Sequence, residues 1–122
     1  MSISTANDLA AAARRVLDRP GDLPKATWPR TAALLARQAV EAAVAERVAA
    51  RAPGLERCSR ATQLTCLPWY VEDRGTARLA NQTWSALSNA CHHHAYDLAP
   101  TATELRSWLD DVERLVRELA EA

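Results

Sequence analysis

"PTATELRSWLDDVERLVREL", residues 100–119, decides the fold. Thr101 followed three residues later by Glu104 is a capping box, in which the two side chains satisfy free backbone N–H groups of a helix start, and Pro100 sits just outside it. Behind it, Leu105, Trp108, Leu109, Val112, Leu115, Val116 and Leu119 recur at three-and-four spacing and form one apolar stripe. Asp110 with Arg114 and Glu113 with Arg117 are acid-first pairs at spacing four on the outer face. This stretch is an amphipathic helix, and its stripe needs other helices to cover it.

The rest of the chain supplies them. Its 122 residues are 48% hydrophobic with no Phe and only three Gly, and the abundant Ala, Leu and Arg lose little side-chain freedom in a helix. An all-α fold follows, as one domain over 1–122. A first helix is expected from Thr5 to Arg19, with Leu9, Ala13, Val16 and Leu17 on one stripe. "RPGDLPKATWP" breaks it, and Thr27 with Pro29 reads as the cap and first turn of a second helix. That helix runs to Arg51, with Ala32, Leu34, Leu35, Gln38, Ala42, Ala45 and Val48 on its buried face, and "APG" closes it.

"SRATQLTCLPWYV" is a third segment, apolar nearly all round beyond Leu64, which Pro68 should kink or end. A fourth helix starts near Thr76 and carries Ala80, Trp84, Leu87 and Cys91 on one stripe. Short connections between about five helices imply an antiparallel up-and-down bundle, with the second, fourth and fifth at its centre. Trp84, Leu87, Trp108, Leu109 and Val112 should meet across the last two.

Fifteen basic and fifteen acidic residues cancel, which removes any bulk field for a polyanion; nucleic-acid binding requires a local patch. No apolar run approaches the roughly 20 residues of a membrane span, and "MSISTANDLAAAARRV" has no signal-peptide core. A cytoplasmic protein is expected. There, Cys58, Cys66 and Cys91 read as small buried hydrophobes before they read as disulfides.

The chemistry gathers in "NACHHHAYDLAP", residues 89–100. Neighbouring helical residues point about 100° apart, so His92, His93 and His94 cannot converge on one ion while the segment is helical. The chain has no CxxC, no HExxH and no second His cluster, and a zinc site on Cys91 and His94 would need further ligands such as Cys58 and Cys66. No metal or cofactor is therefore expected. If the helix runs straight, His94 shares the inner arc with Leu87 and Cys91, while His93 lies with Arg78, Ser85, Asn89 and Tyr96 on the opposite side. If it ends near Cys91, His94 is free to swing toward a groove.

This layout resembles HEPN domains: small antiparallel helical bundles in which the penultimate long helix ends in an arginine, a short spacer and a histidine, followed by a last helix packed back. Here Asn89 to His94 occupy that place. The resemblance implies a homodimer that cleaves RNA without metal, a histidine moving protons for attack by the ribose 2′-hydroxyl and an arginine stabilising phosphate charge. It implies His94, His93, Asn89 and Tyr96 as the site residues. Asn89 stands where the arginine belongs, so either activity is weakened or another arginine reaches the site, Arg37 and Arg78 being the candidates. The family also includes non-catalytic modules that bind a partner protein of antitoxin or nucleotidyltransferase type; that is the alternative, and a metal-binding helical module is the third.

Overall fold

The computed structural model describes residues 5–25, 27–92 and 99–121. Among them are five α-helices and no strand: α1 (Thr5–Asp18), α2 (Trp28–Arg51), α3 (Arg60–Cys66), α4 (Arg74–Cys91) and α5 (Ala102–Ala120). The all-α expectation holds. No helix among the described residues is long and apolar enough to cross a membrane.

Directions follow from side-chain pairs. Thr76, early in α4, donates to Glu118, late in α5, at 2.8 Å, so these helices are antiparallel. Arg37 of α2 meets His92 at the end of α4, and one turn later Glu41 accepts from Trp84, which lies two turns earlier in α4, at 3.0 Å, which makes that pair antiparallel too. Arg47, late in α2, reaches the carbonyl of Leu119, late in α5, so α2 and α5 run the same way. Ala6 lines a cleft with Ala43 and Ala120, which sets the start of α1 against the ends of both. The four long helices therefore alternate up and down, and α2 touches every other helix. The expected centre of α2, α4 and α5 gains α1 as a full member, since α1 lies against α2 more extensively than any other pair does.

The α5 reading is borne out closely. Thr101 Oγ1 accepts from the Glu104 N–H at 3.1 Å and Glu104 accepts from the Thr101 N–H at 3.0 Å, the complete reciprocal box. Leu105, Leu109, Val112, Leu115, Val116 and Leu119 are buried. Its surface pairs differ from expectation. Arg14 of α1 takes both Asp110 (2.8 Å) and Glu113 (2.6 Å), and Arg114 pairs with Glu118 rather than Asp110. A cation arriving from a neighbouring helix bridges two acids one turn apart, which no helix-internal spacing can anticipate. The Glu113 hydrogen bond, then the Asp110 one, hold the Arg14 guanidinium charged against the cost of its partial burial.

The face of α2 is rotated from its expected position. Its buried residues are Pro29, Ala32, Ala33, Ala36, Ala39, Val40, Ala43, Val44, Arg47 and Val48, while Leu34 is exposed and Leu35 only half-buried. Thr27 does stand at the N-cap, but in helical backbone and without a side-chain cap bond. The turn is fixed instead by the Pro24 carbonyl, which accepts from the N–H groups of Thr27 and Trp28. Beyond the helix, "APG" ends the run with Gly54 at φ +101°, a left-handed backbone that a side chain would strain.

The α2–α4 connection is the irregular part. Ser59 caps α3 by accepting from the Thr62 N–H, and Pro68 ends the helix by opening a 3-10 turn over Leu67–Trp69. Only Leu64 and Leu67 of the apolar run are deeply buried; Trp69 stands in solvent. Cys58 is exposed and Cys66 half-buried, so of the three thiols Cys91 alone is a buried hydrophobe. Cys58 lies in the polar turn before α3, where nothing packs over it.

Gln63 holds this connection in place. Fully buried, it donates to the carbonyls of Glu56 (2.9 Å) and Cys58 (3.0 Å) while its own carbonyl accepts from Arg60 at 2.9 Å. Both amide hydrogens and the oxygen are thus used. Gln63→Leu keeps the volume but strands two carbonyls, so urea unfolding should show a loss of about 2 kcal/mol; an unchanged midpoint would mean that water replaces the amide without cost.

Leu87, Leu109 and Val112 meet in the α4–α5 core as expected, but the two tryptophans do not join them fully. Trp108 is half-buried, and Trp84 turns to α2, where Glu41 satisfies its indole N–H. An indole in a wholly apolar layer would leave that donor unpaired.

Candidate functional site

Helix α4 ends at Cys91. Asp73 caps its start by accepting from the Gly75 N–H at 2.7 Å, and His92 closes it with non-helical backbone, its N–H donating to the carbonyls of Ser88 and Asn89. Of the two readings of this segment, the helix that stops near Cys91 is the one observed. Asn89 is exposed in the last turn. His93, His94 and Tyr96, the other expected site residues, lie outside the described residues.

Arg37 comes to this end from α2. One of its terminal nitrogens stands 3.4 Å from His92 Nε2. A guanidinium only donates, so a hydrogen bond here would have Nε2 as its acceptor. Arg37 Nε is buried, 4.0 Å from Glu41 Oε2, and makes no hydrogen bond among the described residues; neither does the buried Ser88 Oγ beside the α4 terminus. Glu41 is held on its other side by Trp84. An arginine thus stands at the α4 terminus within 4.0 Å of a carboxylate that is itself hydrogen-bonded to an indole.

Cys91 sits behind this cluster. Burial pushes its thiol up, against the pull of Arg37 and Arg30 and with a smaller push from Glu41. It is a packing residue with cations nearby, not a poised nucleophile. Arg30 is exposed, so two arginines and His92 share this end of the bundle.

The structure separates the two candidate arginines. Arg37 reaches the motif segment, whereas Arg78 lies 14 residues before His92, roughly 21 Å down the helix at 1.5 Å per residue. Sequence reasoning missed the supporting pair Glu41 and Trp84. The spacing of four between Arg37 and Glu41 was a usable signal for half of it. Among the described residues, no three His, Cys, Asp or Glu side chains come together as a metal-binding group.

The fold and this end of it define a small helical bundle that sets a guanidinium against a histidine, without a carboxylate cluster around them among the described residues. No family model, curated protein or solved structure matches the chain, so its function is read from this chemistry.

Proposed function

We propose that the protein is an HEPN-like domain acting on RNA as a cytoplasmic homodimer, in which Arg37 takes over the charge that Asn89 lacks. The observation that carries this is the 3.4 Å approach of the Arg37 guanidinium to His92, next to His93 and His94 in the chain. The chemistry asks for a base near neutrality and a permanent cation. His94, or His93, takes the proton of a ribose 2′-hydroxyl as its oxygen bonds to phosphorus, and the 5′-oxygen leaves with a proton. Arg37 bears on the phosphate oxygens, and Asn89 and Tyr96 hydrogen-bond at the rim. Two copies bring their α4 ends together, an isologous arrangement that pairs the polar faces of Ser85 and Asn89.

Light scattering with an RNA cleavage assay tests this. The expected result is a dimer at micromolar concentration that cleaves single-stranded RNA, is indifferent to chelators, and falls silent in His94→Ala or His93→Ala. A monomer, or folded protein that leaves RNA intact, overturns it in favour of a non-catalytic module that binds a partner protein.

A further inference from the structure

Helix α4 carries a feature that cleavage at its far end does not use. A groove of about 500 Å³ lies between the 3-10 turn and the first half of α4, with Leu64, Pro68 and Ala77 as its apolar lining and Trp69, Arg74 and Arg78 as its large polar and aromatic side chains. No carboxylate lines it. Trp69 is 83% exposed, the most exposed large hydrophobic residue among those described. Arg74 and Arg78 are exposed, and neither belongs to an ion pair among the described residues, in contrast to Arg14, Arg37 and Arg114.

The helix itself extends the pattern. Its eighteen residues contain no Asp or Glu, in a chain whose charges otherwise balance. Arg74, Arg78, Asn81, Ser85, Asn89 and His92 are all exposed, and at 100° per residue they fall on one stripe. It runs roughly 27 Å, from the Trp69 groove to the Arg37–His92 contact.

We infer that this groove is a binding site for single-stranded nucleic acid: an unpaired base stacks on the Trp69 indole, Arg74 and Arg78 hold the flanking phosphates, and the strand passes Asn81, short of the Ser85 and Asn89 face given to the proposed dimer. An exposed indole offers every base a face to stack on, and unpaired arginines beside it favour a polyanion. Asn81 adds an amide that can meet a base edge. A duplex keeps its bases stacked inside and cannot use the indole. The site goes beyond the proposed cleavage and does not depend on it.

Fluorescence anisotropy on the full chain tests this with labelled oligouridylate and oligodeoxythymidylate of about 12 nucleotides, a length within the range of single-strand sites. At about 50 mM salt, where phosphate contacts are strong, the single strand should bind and a duplex of the same length should bind more weakly. Trp69→Ala should weaken binding about tenfold, with Trp69→Phe keeping most of it. Arg74→Gln and Arg78→Gln should each flatten the salt dependence by about 0.7 in slope. Trp69 is exposed, so circular dichroism of these variants should match the parent. Weaker binding of the deoxy strand assigns the site to RNA, and equal binding assigns it to single strands of either sugar. The deoxy strand has no 2′-hydroxyl to attack, so this measurement stands apart from cleavage. No binding, binding unchanged in Trp69→Ala, equal affinity for duplex, or displacement of the strand by polyglutamate at matched charge would each overturn the inference, the last by giving the groove to an acidic polypeptide.

Discussion

Arg37→Ala is expected to lower RNA cleavage by about two to three orders of magnitude, the usual cost of removing one preorganised donor from a developing oxyanion. The loss should fall on kcat, because charge on the phosphate grows in the transition state and the ground state binds through other contacts. The fold should survive. Arg37 is half-buried and its carboxylate partner among the described residues stands at 4.0 Å, while Glu41 keeps its bond to Trp84. Arg37→Lys should recover part of the rate, since an ammonium restores charge but not the planar fork. Asn89→Arg placed in the Arg37→Ala protein should recover more, by returning a guanidinium to the last turn of α4. Cleavage by Arg37→Ala at the parental rate would remove Arg37 from the site.

Leu87→Ala should destabilise the protein by about 3 to 5 kcal/mol in urea unfolding, with the slope unchanged. Leu87 is 0% exposed, in the same core as Leu109 and Val112 of α5, and four close-packed helices cannot collapse far into the space it leaves. That loss is a large share of the roughly 5 to 15 kcal/mol that hold a domain together. A cost under about 1 kcal/mol would mean that α4 slides inward to refill the space.

How far these features could be read from sequence depended on whether their signals were local. The capping box of Thr101 and Glu104 and the leucine stripe of α5 are carried within single turns, and both stand as expected. Pro68 and "APG" ended their segments for the same local reason. The face of α2 was misjudged because alanine and leucine were weighed by size: Leu34 drew the stripe toward itself, yet alanines fill the core side. Trp84 and Arg14 found partners on other helices, and nothing in their own turns announces Glu41 or Glu113. At the site, the missing arginine was visible at Asn89. The approach of Arg37 to His92, on which the proposed replacement rests, depends on how α2 and α4 cross, which is a property of the assembled bundle. His93, His94 and Tyr96 lie outside the described residues, so the structure adds nothing to their reading.

The buried faces of the bundle should therefore tolerate change in opposite ways. The buried face of α5 is leucine and valine throughout, in one core with Leu87 of α4, and damage there comes by subtraction, as with Leu87. Between α1 and α2 the buried faces are chiefly alanine, Ala6, Ala10 and Ala13 on one side and Ala32, Ala33, Ala36, Ala39 and Ala43 on the other. Such side chains let backbones approach closely but have almost nothing to lose by truncation. Damage there comes by addition, since each extra methylene has to push two helices apart. Sequence drift in this protein should accordingly run toward smaller residues being forbidden on the inner face of α5 and at Leu87, and larger ones on α1 and the facing side of α2.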